Sequence, residues 1–208
     1  MRMYLVLRRG AVASLARAGE LAGAAAVACV RRFADDPALA EWRPRPGKVC
    51  LRARNESQWR QVLAEPHALA GDRDGEAVAA LPPRRRSERG ALLERLQAMS
   101  TALEPPPATG QDSREALTYL LNPALTMSSG KAVAQVAHAA VMAADTGALE
   151  DWVAAGCPGR VLAPPPAVFA AAACDAVARV VDAGLTEVAP GAVTVVALRP
   201  GAALAAES

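Results

Sequence analysis

Residues 117–145 read LTYLLNPALTMSSGKAVAQVAHAAVMAAD, and this stretch decides the fold class. Leu117–Leu121 is a short apolar run ended by Asn122-Pro123, the length and punctuation of a buried strand. Ser128 or Ser129 then stands where a helix N-cap belongs, and the pattern predicts a helix from about Gly130 to Ala144. The alternation continues downstream. A short helix is expected near Ala148–Ala155, a strand at Arg160–Ala163, and a helix opened by Pro164-Pro165-Pro166 that runs to about Cys174. Val177–Val181 is apolar apart from Arg179, and it is read as a strand buried on both faces. Ala189–Ala192, with Pro second and Gly third, fits a turn before a last strand at Val193–Leu198. Strands alternating with helices make this an α/β fold.

The preceding half follows a similar plan. Met3–Leu7 reads as a strand and Val12–Phe33 as a long helix. Glu41-Trp42 with Pro46-Gly47-Lys48-Val49 matches Asp151-Trp152 with Pro158-Gly159-Arg160-Val161, and each match precedes a candidate helix, Ser57–Glu65 and Pro165–Cys174. Ala77–Pro83 corresponds in order and kind to Val193–Pro200. Four features in the same order point to a diverged internal duplication. Ser100–Arg114, rich in Pro and small polar residues, reads as a linker. The expected organisation is a diverged α/β repeat at 1–99, a linker at 100–114 and a second α/β unit at 115–208. Arg84–Gln97 reads as an extra basic helix leading into the linker.

The formal net charge of +2 hides an asymmetry: residues 1–104 carry 18 Lys/Arg against 12 Asp/Glu, residues 105–208 carry 5 against 9. A basic half is a prior for contact with a polyanion, and Arg43, Arg45, Lys48, Arg52, Arg54 and Arg84–Arg86 are the candidate contacts. Lys48 and Lys131 are the only lysines among the 23 basic residues. Cys29, Cys50, Cys157 and Cys174 have no CxxC spacing and read as small buried hydrophobes, so neither a zinc site nor another metal is expected. No apolar run is long enough to span a bilayer or serve as a signal peptide, and the expectation is a cytoplasmic protein without membrane contact.

Lys131, Gln135 and His138 are spaced i, i+4, i+7, so they form one narrow polar line on a helix otherwise built of Ala, Val and Met. A solvated face would be wider; a single line suggests the wall of a cleft. Lys131 falls in the first turn, where free N–H groups favour anions. Asp182-Ala183-Gly184-Leu185-Thr186 follows the strand Val177–Val181 and puts an acid and a hydroxyl where α/β proteins place their sites.

Gly130-Lys131-x-x-Ala134-Gln135-x-x-His138-Ala139, followed by Asp182-Ala183-Gly184-x-Thr186-x-Val188-Ala189-Pro190-Gly191 and Thr194-Val195, resembles the type II peptidyl-tRNA hydrolase family over about Leu117–Pro200. The resemblance implies a small mixed sheet flanked by helices and hydrolysis of the ester joining a peptide to the 3′ end of tRNA, without a cofactor. It implies Lys131, Asp182 and Thr186 as the catalytic group, with Gly130, Gln135, His138 and Gly184 lining the substrate cleft. Three positions depart from the family pattern: Asn122 and Ala124 stand where an Arg and an Asp are usual, and Ala192 replaces a Ser or Thr. In the first half Arg17, Leu21 and Ala24 align with Lys131, Gln135 and His138, and no Asp-Ala-Gly-x-Thr follows, so that copy is expected to be catalytically empty. The partner implied is peptidyl-tRNA, bound by a monomer with pseudo-dimeric halves or by a homodimer. The alternative is a non-catalytic tRNA- or protein-binding module that keeps the fold.

Overall fold

The computed structural model describes residues 1–110, 113–184 and 187–204. Strand β1 (Arg2–Arg8) leads into helix α1 (Leu15–Arg32), the short α2 (Pro37–Trp42), β2 (Gly47–Ala53), α3 (Glu56–Ala64), β3 (Ala68–Gly71) and β4 (Ala77–Arg84). Next come a 3-10 turn (Arg86–Glu88), α4 (Gly90–Arg95) and the two-residue β5 (Gln97–Ala98). The second half runs β6 (Leu117–Leu121), α5 (Ser129–Asp145), α6 (Glu150–Ala154), β7 (Gly159–Leu162), α7 (Pro166–Cys174), β8 (Ala178–Val181) and β9 (Val193–Leu198).

The two halves are wired alike. Sheet order is β3-β4-β1-β2-β5 in the first and β8-β9-β6-β7 in the second. In each, the first strand lies between a parallel partner (β2, β7) and an antiparallel one (β4, β9). Capping is repeated too: Ser14 Oγ accepts from the Arg17 N–H at 3.1 Å, and Ser128 Oγ from the Lys131 N–H at 3.2 Å. The alignment of Arg17 with Lys131 therefore has a physical register, set by the cap. Each Trp after the first long helix donates its indole N–H to the chain entering the next strand, Trp42 to Gly47 O and Trp152 to Pro158 O, both at 2.7 Å. This corrects the letter match by one residue. Val49 packs on the outer face of its sheet while Val161 packs on the inner face, so Cys50, not Val49, is the counterpart of Val161, and Gly159 is the counterpart of Lys48.

Helices α1 and α5 lie side by side between the inner faces of the two sheets. A Cβ at Gly19 would meet Val136 and one at Gly23 would meet Ala140, so the contact advances along both helices in the same direction. Small residues allow this approach, and α1 also reaches β7 while α5 reaches β2, each on the other half's sheet. One apolar core joins Met3, Leu5, Leu7 and Cys50 of the first sheet, both helices, and Leu117, Tyr119, Val161 and Val195 of the second. Separate clusters cover the outer faces: Trp59 and Val62 of α3 on one, Phe169 of α7 on the other. The layers are helix, sheet, paired helices, sheet, helix.

Three expectations change. Ser-Glu-Arg-Gly interrupts the expected basic helix at 84–97, since Gly90 takes φ 72° and the segment divides into the end of β4, a 3-10 turn, α4 and β5. Strand β8 is an edge strand with alternating exposure, Arg179 and the 57% exposed Val181 on its outer face, so it is not buried on both faces. Cys174 is exposed while Cys29, Cys50 and Cys157 are buried. The expected linker is bonded to both halves: Glu104 N–H donates to Ala13 O, Leu15 N–H to Glu104 O, and Ala163 N–H to Pro107 O. Among the described residues no helix is long and apolar enough to cross a membrane.

Candidate functional site

The site begins where β6 hands over to α5. Asn122 builds that turn: its Oδ1 accepts from the Ala124 N–H at 2.9 Å and its Nδ2 donates to Val193 O at 2.8 Å. Ser128 caps the helix, placing Lys131 in its first turn. Gly130 sits under the first half, where a Cβ would come within 2.5 Å of Met99 O, so only glycine lets the two chains pass. Ser129 Oγ accepts from the Leu103 N–H at 3.0 Å and ties the same segment down.

Asp182 follows β8 at the head of a closed loop. Its N–H donates to Ala192 O at 2.9 Å and its carbonyl accepts from the Gly191 N–H at 2.8 Å. The tip is the expected turn, with Ala192 N–H donating to Ala189 O at 3.2 Å and Gly191 at φ 81°. Gly184 has φ 73° and lies against Pro190, where a Cβ would be 2.4 Å from the proline ring. That left-handed turn aims the Gly184 N–H at Asp182 Oδ1, 2.8 Å away.

The polar line of α5 meets this carboxylate. Lys131 Nζ donates to Asp182 Oδ2 in a very short contact, and Gln135 Nε2 donates to the same oxygen at 2.6 Å. The ion pair leaves 15% and 7% of its two side chains exposed, against 23% and 34% for Arg84–Glu65, the next most shielded pair described. Burial works to raise the Asp182 pKa, but the Lys131 hydrogen bond and charge, the Gly184 N–H and the Gln135 amide together hold the carboxyl below its ordinary value. A charged acceptor with donors on both oxygens is what results.

His138, a further turn along, is half-buried and has no hydrogen bond to the Asp182 carboxylate among those described. Burial first, then the positive charge of Lys48, pull its pKa down to about 3 against the opposing pull of Asp182. The imidazole is neutral at physiological pH. Thr186 lies outside the described residues. Among the described residues no group of three His, Cys, Asp or Glu side chains could hold a metal ion.

Two acids escaped the sequence reading. Glu187 accepts from the Ser128 N–H at 2.7 Å and from Ser128 Oγ at 2.8 Å, latching the loop to the start of α5, where a negative charge suits the helix end. The signal was an acid beside the expected Thr186. In the first half Asp72 directly follows β3, as Asp182 follows β8, and its Oδ1 accepts from the Asp74 N–H at 3.1 Å. Yet Arg17 bonds elsewhere, to Glu76 at 3.1 Å and Glu20 at 3.4 Å, and Leu21 replaces the amide. The first copy keeps the aspartate turn without the shielded three-way contact.

The first half supplies the facing wall. Lys48, Cys50 and Arg52 pair with Met3, Leu5 and Leu7, whose side chains point into the shared core, and β2 packs against α5. Most of the expected basic surface is already engaged. Arg43 pairs with Asp145 at 2.6 Å, Arg84 with Glu65 at 2.8 Å and Arg85 with Glu41 at 2.8 Å. Arg52 is bonded to Gln97 and Thr101, and the Lys48 ammonium is buried. Neither a protein-family model nor a curated protein matches this sequence.

Proposed function

We propose that the protein hydrolyses the ester of peptidyl-tRNA, releasing peptide and tRNA, in a cytoplasmic setting. The observation that carries the reading is the convergence of Lys131, Gln135 and the Gly184 N–H on the shielded Asp182 carboxylate. These residues belong to the two motif blocks that resemble type II peptidyl-tRNA hydrolases, and they are 51 and 47 positions apart in the chain. The shared wiring of the halves supports descent by duplication, with the first copy now a scaffold.

Ester hydrolysis needs a positioned water and a counter-charge for the tetrahedral oxyanion. A carboxyl held below its ordinary pKa is a poor proton store, which favours Asp182 as the acceptor that orients the water. Lys131 then turns from Asp182 toward the oxyanion as negative charge develops there. Neutral His138 and Gln135 offer hydrogen bonds to the tRNA end or the peptide carbonyl. Thr186 is proposed to relay or position the same water. Arg45, Arg54 and Arg86, which have no acidic partner among the described residues, are the cations left for tRNA phosphates.

The test is release of tRNA from N-blocked and from free aminoacyl-tRNA. Cleavage of the blocked ester alone, lost by about two or more orders of magnitude in Lys131→Ala and Asp182→Asn, is expected for groups of this kind. Undiminished turnover in folded variants overturns the assignment. Binding of tRNA without cleavage by the native protein establishes the non-catalytic module instead.

A further inference from the structure

The line Lys131, Gln135, His138 continues at the same spacing to Met142, about 20° around α5 from Lys131. This is the side away from Ala140, which faces α1. Met142 and Val181 are the large apolar side chains left exposed among the described residues, at 37% and 57%. Val181 belongs to β8, the edge of its sheet, and no described strand pairs with the outer side of that edge. Strand β8 runs with β6, because each is antiparallel to β9. Helix α5 runs the other way, returning from β6 to the parallel β7. Asp182, at the end of β8, therefore stands at the start of α5, where it meets Lys131, and Ala178 lies toward Met142. The lengths agree: four strand residues span about 13 Å, and Lys131 to Met142 covers about 16 Å of helix. Ala178, Val180 and Asp182 turn inward and are buried, while Arg179 and Val181 turn outward.

We propose that the outer edge of β8 binds the peptide of the substrate as an added parallel strand, with the Met142 side of α5 as its floor. The proposal rests on the hydrolase reading, which supplies a peptide esterified at its C-terminus. An open strand edge is a row of backbone donors and acceptors that another extended chain can pair with. Strand polarity then selects the arrangement. A chain parallel to β8 brings its C-terminal carbonyl, the ester carbon, to the Asp182 end, and its preceding residues pass His138 toward Met142. An antiparallel chain would bring its N-terminus to the carboxylate instead, and so would a second copy of β8 paired about a two-fold axis. The first half offers no such track. Its edge strand β3 is tied to α1 at both ends: Arg32 donates to His67 O at 2.9 Å just ahead of it, and Gly71 at its end lies against Leu21. Ala28 stands there in the place of Met142. The open edge thus belongs to the half that carries the shielded carboxylate. Pairing through the main chain accepts many side chains, which suits an ester hydrolase that meets peptides of any sequence.

The experiment measures kcat/KM of the full chain on N-acetylated tRNA esters of increasing peptide length. It should rise from one amino acid to about five, one at Asp182 and the rest along β8, and then level off. In a parallel pair only alternate residues turn their N–H and C=O toward the neighbouring strand. N-methylation of one amide at a time should therefore cost about three- to tenfold at alternate positions and little between them. Met142→Glu, which places a charge on the floor, should shrink the gain from length. A flat length series, losses without a two-residue period, or an undiminished gain in Met142→Glu overturns the proposal. Binding is read without hydrolysis by NMR of the full chain with acetyl-Ala-Val-Ala-Val-Ala-amide, which should shift the N–H signals of β8 and the Met142 methyl. Absence of those shifts overturns the edge whichever way the esters behave. Shifts without cleavage of any ester would refute the hydrolase reading and leave the peptide edge standing.

Discussion

Gly19→Leu tests whether the two halves are one folding unit. Gly19 lies where α1 crosses α5 and β7, and its missing Cβ would be 2.9 Å from Val161 Cγ2 and 3.5 Å from both Val136 methyls. A leucine adds three more carbons beyond that crowded point. Overpacking of this kind costs about 1–3 kcal/mol, and a whole side chain belongs at the upper end. Against it stands the helix propensity of leucine over glycine, roughly 0.8 kcal/mol in favour of the variant. The net expectation is a loss of about 2 kcal/mol, which in a chain of this size lowers Tm by roughly 4–8 °C. Thermal unfolding followed by far-UV circular dichroism and by tryptophan fluorescence reads this directly, because Trp42 and Trp59 report on one half and Trp152 on the other. The three should melt together at the lower temperature. A rise in Tm, as propensity alone dictates, or a transition confined to one set of tryptophans, would refute the packing argument.

Other outcomes follow from the same structure. Expressed separately, residues 1–99 and 115–208 should each lack a cooperative transition, since each leaves a shared core face uncovered; mixing them should restore one. Stability should decline as pH falls from 6.5 toward 3, because the unfolded chain protonates His138 at its ordinary value while the folded chain holds it neutral; the slope from this residue approaches about 1.4 kcal/mol per pH unit and should vanish in His138→Gln, as urea midpoints across that range would reveal. Charge reversal of Arg54 and Arg86 should weaken tRNA binding and flatten its dependence on log salt by about 0.9 per lost phosphate contact; an unchanged slope removes them from the interface. Glu187→Gln should loosen the loop and lower kcat by roughly tenfold or less, since its effect on Asp182 is indirect; hydrogen exchange at Gly191 N–H tracks the loosening.

Much of this fold could be read from local signals. β6 and β9 begin and end where the apolar runs do, and the turn at Ala189–Ala192 forms with Gly191 at positive φ, because proline and glycine prescribe that geometry at fixed positions. The Lys131–Gln135 line and the Asp182-Ala-Gly turn were legible for the same reason: periodicity and turn chemistry are local. What escaped depends on the far side of the chain. β3 (Ala-Leu-Ala-Gly) and β5 (Gln-Ala) have no strand signature and exist only because β4 and β2 offer them hydrogen bonds. β8 (Ala-Arg-Val-Val) is an edge strand, and Arg179 on its exposed face was the local signal that one face meets solvent. The Pro-Gly-Lys-Val match was true in letters and wrong in pleat, as a shift of one residue turns every side chain to the other face. Nothing local to Lys48 announces that it faces another half's helix.

Gly159 occupies in the second half the place that Lys48 holds in the first, and there even a Cβ would lie 2.7 Å from the Tyr119 ring. An assembly of two identical chains would have to present the same residue at both places, so it could hold a lysine at neither without rebuilding the ring's surroundings. Joining the copies end to end releases that constraint. One cleft can then acquire a side chain that its twin has no room for, and the two can drift apart in chemistry while the framework between them stays matched. Lost symmetry is, in this chain, what lets Lys48 and Gly159 differ at matched places.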